Sequence, residues 1–156
     1  MSFCIAVMLS IENVRYRDRA EIIRHIRTQV FQLEQNIAPE LEFDGLDDNA
    51  THLLAWWKKT PVGTARLRAI APHTGKIERL AVLPEMRRRG IGRQLMQYAL
   101  DSFQQQGTNR IVLNAQAYIT PLYARLGFQI HGDPFEEAGI PHVSMEITLN
   151  GSYSDS

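Results

Sequence analysis

The sequence predicts an α/β (α+β) chain with a mixed sheet flanked by helices, and three observations carry that expectation. Three strand patterns follow one another before residue 84, which asks for hairpins. Amphipathic helical stretches are interleaved with strands after it, which asks for crossovers. An apolar strand then runs into a glycine-rich turn and straight into a helix. The 156 residues suffice for one domain with a hydrophobic core and are short for two. Residues 1–149 are therefore read as a single domain and 150–156, rich in Ser, Gly and Asp, as a flexible tail.

Element by element, Ser2 to Val14 reads as a first strand. Its run from Phe3 to Leu9 is too short to span a bilayer and lacks the flanks of a leader peptide. Ala20 to Leu33 places Ile22, Ile23, Ile26, Val30, Phe31 and Leu33 on one helical face, with Asp18 as the expected cap. Ala38-Pro39 and Asp44-Gly45 break that pattern and leave an acidic connection with room for a short helix. Strands are predicted at 52–57, 62–70 and 77–83, joined by turns at Lys58-Lys59-Thr60-Pro61 and His73-Thr74-Gly75. In the second of them Thr64, Arg66 and Arg68 share one face, Ala65, Leu67 and Ala69 the other. Trp56 and Trp57, being adjacent, should face opposite ways. Ile91, Leu95, Tyr98, Ala99 and Phe103 have helical spacing, and Gly107 closes that helix. A strand at 110–113, a short helix opening at Thr120-Pro121 and stopping at Gly127, and strands at 128–130 and 142–147 complete the order.

Composition excludes several functions. Lys+Arg 17 balance Asp+Glu 17, so no overall basic field favours nucleic acid. One cysteine, Cys4, forbids an internal disulfide and a thiolate-rich zinc site, and fits a reducing cytoplasm. Charge is nonetheless segregated. Glu34, Glu40, Glu42, Asp44, Asp47 and Asp48 lie in a stretch without Lys or Arg, whereas Arg79, Arg87, Arg88, Arg89 and Arg93 face only Glu85. Two solvated loops would explain this. So would a device with one anionic and one cationic client.

The basic stretch contains Arg87-Arg88-Arg89-Gly90-Ile91-Gly92, a match to [Arg/Gln]-x-x-Gly-x-[Gly/Ala] between a strand and a helix. Backbone N–H groups at a helix start, reinforced by the helix dipole, suit a pyrophosphate. Glycines at 90 and 92 permit close approach, and the arginines add charge-assisted contacts. Other phosphate loops fail: Leu95 stands where a dinucleotide fold wants a third glycine, and Gly92 is followed by Arg93 rather than Lys-Ser/Thr. Gly-x-Ser-x-Gly, His-Glu-x-x-His and paired-cysteine motifs are absent.

Together with Ile77-Glu78-Arg79-Leu80-Ala81-Val82-Leu83-Pro84 before it and Leu122-Tyr123-Ala124-Arg125-Leu126-Gly127-Phe128 after it, this loop resembles the GNAT superfamily of N-acetyltransferases. Arg27-x-x-Val30-Phe31-x-x-Glu34-Gln35, Leu113-Asn114-Ala115-Gln116 and Ala138-Gly139-Ile140-Pro141-His142 resemble the ElaA/YjcF-like branch within it. The resemblance implies a mostly antiparallel central sheet splayed between strands 4 and 5, with acetyl-CoA wedged into the opening. It implies transfer of an acetyl group to a primary amine, on a small molecule or a peptide or protein, in a ternary complex without a metal. Neither nucleic acid nor membrane is an expected partner; a homodimer is an allowed assembly. Leu80, Ala81, Val82, residues 87–93 (Arg87, Arg88, Arg89, Gly90, Ile91, Gly92, Arg93), Asn114, Gln116 and Tyr123 are the implied cofactor contacts. The main-chain N–H of Leu80 or Val82 is the implied oxyanion donor, and Tyr123 the acid for the leaving thiolate.

Deprotonating the amine falls to Glu78, to His142 or to water. Glu78 sits in an apolar strand where burial would raise its pKa, although an ion pair with Arg66 or Arg68 would equally explain it. His142 is the second choice, because a histidine side chain can take up and release a proton, and could equally be a hydrogen-bonded structural histidine. Arg27, Glu34, Glu42 and Asp44 belong to the region expected to line the acceptor side. Arg27-x-x-x-Phe31, Glu42-x-Asp44-x-x-Asp47 and Gly63-x-x-Arg66-Leu67 also resemble pieces of the acyl-homoserine-lactone synthases, a related fold with different chemistry. A non-catalytic acyl-CoA-binding regulatory module is the remaining alternative.

Overall fold

The computed structural model describes residues 8–149. The order is β1 (Leu9–Arg15), α1 (Tyr16–Arg27), a π-helical stretch (Thr28–Glu34), α2 (Pro39–Glu42), β2 (Thr51–Trp57), β3 (Thr60–Ala71), β4 (Thr74–Val82), α3 (Ile91–Gln105), β5 (Arg110–Gln116), α4 (Thr120–Arg125), β6 (Gln129–Ile130), β7 (Phe135–Glu137) and β8 (Ile140–Thr148). The described strands form one eight-stranded sheet in the order β1-β2-β3-β4-β5-β8-β6, with β7 also on β8. Every registered ladder is antiparallel except β4–β5, which is parallel and only three pairs long, Thr74↔Arg110 to Lys76↔Val112. The splay expected between the fourth and fifth strands is seen as this short ladder.

The described residues form two compact units, one comprising 8–67 with Arg79–Tyr98, the other Arg68–Glu78 with 99–149. In the first unit, Ile23, Ile26, Val30 and Phe31 of the helical segment pack with Leu54, Ala81 and Leu83, and Trp56 joins them half-buried. Trp57 is also half-buried, and Arg89 stacks its guanidinium 5.3 Å from the ring centroid. In the second unit, Ile111, Leu113, Ala115, Val143 and Met145 are buried on one side of the β5–β8 ladder. Gly75 is obligatory there, since a Cβ would lie 2.5 Å from the Phe103 ring.

Several expectations shift. The first helix begins at Tyr16, four residues early, and is broken at Arg19 (φ −138°, ψ 22°). Asp18 therefore caps nothing; its carboxylate accepts a bond from Arg15 Nε instead. The segment keeps its apolar face to Phe31 but changes to π-helical geometry from Thr28. The turn between β2 and β3 is only Lys58-Lys59, both left-handed (φ 49° and 72°), as a two-residue hairpin requires. β4, β5 and β8 are longer than predicted, and β7 was not predicted. The Cys4 region and the tail from 150 lie outside the described residues.

Candidate functional site

The loop after β4 is laid out for an anion. Arg88 (φ 65°) and Gly90 (φ 79°) both take left-handed conformations, and α3 starts immediately after. Its ladder opens with Gln94 N–H donating to Gly90 O, so the N–H groups of Ile91, Gly92 and Arg93 precede the intrahelical bonds. A Cβ at Gly90 would meet no atom within 4 Å, so space lies open beside the turn at that residue. The arginines divide. Arg87 is held by Glu34 through two 2.6 Å bonds and donates Nε–H to Val82 O, and Arg89 lies on Trp57. Neither Arg88 nor Arg93 has an ion pair among the described residues, which leaves both for phosphate oxygens. Unsatisfied N–H groups, open space and two unpaired guanidinium groups fit a pyrophosphate-bearing acyl-CoA.

Strand β4 leads into that loop. Leu83 N–H donates to Val62 O on β3. By the alternation of a strand, the N–H groups of Val82 and Leu80 point to the opposite edge. The side chains of Leu80 and Val82 are half-buried and Ala81 is buried.

The acidic segment turns inward. Arg27, 1% exposed, donates to Glu42 Oε2 (2.5 Å), to Asp47 Oδ1 (2.7 Å) and to Glu42 O (3.2 Å). Arg66, 0% exposed, donates to both oxygens of Asp44 and to Asp47 Oδ1. Arg79 reaches Asp44 Oδ2 (3.2 Å) and the carbonyls of Leu41 and Glu42. Arg27 and Arg66 thus meet Glu42 and Asp47 in the interior, the pairing that buried charge demands, while Asp44 and Arg79 close the cluster at its partly exposed edge. The bonds from Arg66 hold the Asp44 carboxyl far below its usual range. For Asp47, burial pushes the pKa up, and the bonds from Arg27 and Arg66 more than reverse it. Arg87 likewise holds Glu34 low through its hydrogen bonds. Arg27, Glu34, Glu42 and Asp44, expected to line the acceptor side, are brought together with arginines of their own chain. This cluster also gives the Arg27, Glu42-x-Asp44-x-x-Asp47 and Arg66 pieces a structural role.

His52 completes the cluster, and no spacing in the sequence pointed to it. It is fully buried, with Nε2 3.0 Å from Asp47 O and the Tyr16 ring at 5.2 Å. With Nε2–H donating to that carbonyl, Nδ1 finds no hydrogen-bond partner among the described residues. Burial holds the imidazole pKa below its ordinary 6.5. A lowered folded-state pKa means that the unfolded chain binds the extra proton first, so stability is full above pH 6.5 and falls as pH drops toward the folded value. Urea unfolding between pH 8 and 5 should show that loss, with a slope of up to about 1.4 kcal/mol per pH unit. In His52→Gln this part of the slope should vanish.

In the second unit, Glu78 is gripped by Arg68 through bonds of 2.6 and 3.0 Å, with Lys76 Nζ at 3.7 Å. Of the two arginines considered as its partner, Arg68 binds it. Tyr123 is buried, its ring edge-on to Phe128 at 6.1 Å, and burial pushes its hydroxyl pKa well up, so it stays protonated. The register of β5, β8 and β7 sets Gln116 opposite His142, Asn114 opposite Ser144 and Phe135 opposite His142, so these five residues share one face. Ser144 Oγ donates to Asn114 Oδ1, and Phe135 stacks on the His142 ring at 5.8 Å. His142 Nδ1 lies 2.7 Å from Ile140 O. Since a carbonyl only accepts, Nδ1 carries the hydrogen and Nε2 the lone pair.

A mixed sheet with one short parallel ladder, and a strand that runs through a left-handed arginine–glycine turn into an open helix start, is an arrangement suited to an acyl-CoA. Residues 19–149 match the model of the acetyltransferase (GNAT) domain. The Bacillus subtilis protein described as uncharacterized N-acetyltransferase YjcF is 34% identical over 122 residues, covering 78% of this chain and 86% of its own. Among solved structures, Escherichia coli ElaA superposes with a TM-score of 0.79 at 27% identity, over 89% of this chain and 99% of that one. An acyl-CoA N-acyltransferase from Pseudomonas aeruginosa does so with 0.78 at 30%, over 88% and 98%. The chain belongs to the GNAT N-acetyltransferases, in the branch that contains ElaA and YjcF. Among the described residues no cluster of His, Cys, Asp or Glu could hold a metal, and no helix is long and apolar enough to cross a membrane.

Proposed function

We propose that this chain transfers an acetyl group from acetyl-CoA to a primary amine by direct attack in a ternary complex, in a reducing cytoplasm. The observation that carries the reading is the open helix start at Ile91–Arg93 behind two left-handed residues. When bound, acetyl-CoA supplies an activated carbonyl on a thioester. The N–H groups of Ile91, Gly92 and Arg93 and the side chains of Arg88 and Arg93 take the pyrophosphate. Leu80 and Val82 offer N–H groups to the pantetheine arm and to the carbonyl oxygen as it gains charge. Asn114 and Gln116 contribute amides toward the same arm.

His142 Nε2, whose lone pair is fixed by the Nδ1–Ile140 bond, is the better base for the amine proton. Glu78 is stabilised as an anion by Arg68, which weakens it in that role. As the amine nitrogen bonds to the carbonyl carbon and the C–S bond breaks, Tyr123 donates its proton to the departing sulfur. Its burial keeps that proton on the phenol at neutral pH.

Tyr123→Phe should lower kcat by roughly a hundredfold while the KM for acetyl-CoA changes by less than about threefold. Steady-state thiol release with the best amine of a mixed panel is the measurement. Unchanged turnover removes Tyr123 as the acid. Binding of acetyl-CoA with no amine-dependent thiol release would favour a regulatory module. Lactone formation from acyl donors and S-adenosylmethionine would favour the synthase reading.

A further inference from the structure

Among the described non-glycine residues with positive φ, Arg79 is the one inside a strand; the others sit in turns and loops. At φ 54° it breaks the pleat of β4 immediately before Leu80, Ala81 and Val82. A left-handed residue at such a point costs conformational energy unless its surroundings over-determine it. Here they do. The Arg79 guanidinium donates to three groups of the 41–44 segment: Leu41 O at 3.3 Å, Glu42 O at 3.1 and 3.2 Å, and Asp44 Oδ2 at 3.2 Å. That segment is itself fixed, because Glu42 is held by Arg27 and Asp44 by Arg66, both arginines fully buried.

We propose that Arg79 is a positioning residue: its side-chain clamp on residues 41–44 imposes the break in β4 that aims the Leu80 and Val82 N–H groups away from β3. The inference rests on the acyl-CoA reading for what those N–H groups bind, though not for the clamp itself. It assigns the acidic segment an indirect task, because Glu42 and Asp44 act on the donor strand through Arg79. Arg79 touches neither acetyl-CoA nor amine in this account.

The test compares Arg79→Gly, Arg79→Ala and Arg79→Lys in the full chain. Glycine adopts φ 54° at no steric cost, so it removes the clamp while relieving the strain. If Arg79 positions the strand, Arg79→Gly should melt within a few degrees of wild type, yet its Leu83 amide, which donates to Val62 O in the wild type, should exchange hydrogen at least tenfold faster. Its Kd for acetyl-CoA should rise at least tenfold, while 3′-phospho-ADP, which carries the pyrophosphate without pantetheine, should bind as before. Arg79→Lys should recover part of both effects and Arg79→Ala neither. Wild-type exchange at Leu83 in Arg79→Gly overturns the proposal, as does loss of acetyl-CoA affinity only in proportion to lost stability. Exchange is read without ligand, so it judges the clamp even in a chain that binds no acetyl-CoA, an outcome that would instead refute the function proposed above.

Discussion

Replacing Gly90 by proline should weaken acetyl-CoA binding at least about a hundredfold, close to 3 kcal/mol, with little change in melting temperature. Gly90 holds φ 79°, which proline, restricted to about −65°, cannot reach. The ring would turn the chain before α3 and swing the N–H groups of Ile91, Gly92 and Arg93 away from a common point. A side chain at position 90 would meet no atom within 4 Å, so no packing at that position is disturbed. Gly90→Ala should fall between, because a Cβ fits the space and only the left-handed backbone opposes it. Calorimetric titration of the three proteins, with melting followed by circular dichroism, separates lost binding from lost folding. Wild-type affinity in Gly90→Pro would mean that the anion is held elsewhere.

Arg27→Met should destabilise the chain by about 3–5 kcal/mol, because it leaves the Glu42 carboxylate buried without its cation. Asp47 would lose one of its two guanidinium partners as well. For a domain of this size the midpoint of thermal unfolding should drop by roughly 10 °C. The double variant Arg27→Met, Glu42→Gln should regain part of the loss, since a neutral amide tolerates burial far better than an unpaired carboxylate. A single variant as stable as wild type would show that the cluster is solvated in solution.

These two positions also show where the sequence was readable and where it was not. The strand at 77–83, the arginine–glycine loop and the helix from Ile91 form one contiguous signal, because apolar spacing, glycine chemistry and helix start lie within thirty residues. Tyr123 could be singled out through its neighbours in the 122–128 stretch. The pairing of the charged segments was hidden for a reason of distance. Each was legible as a run, but Glu34 finds Arg87 fifty-three positions along the chain, and nothing local says that one run neutralises the other. Their opposite signs were the only available hint. Arg66 seemed to belong to a polar strand face by alternation, yet Asp44 and Asp47 lie against that face and Arg66 is buried. His52, an ordinary residue in a strand pattern, became a buried titratable group only through the same loop. β7 escaped because its three residues are too few for a period to show. The break at Arg79 has no sequence signature, since arginine is not a residue that advertises a left-handed backbone.

The central claim is that main-chain hydrogens at the start of α3 grip the diphosphate of an acyl-CoA. Titrating the full chain with acetyl-CoA and, separately, with S-acetylpantetheine tests it directly, because the second ligand keeps the thioester and loses the diphosphate and nucleotide. The account expects saturable heat from acetyl-CoA and at least a hundredfold weaker binding of S-acetylpantetheine. Equal affinity for the two, or no heat from acetyl-CoA, would contradict it.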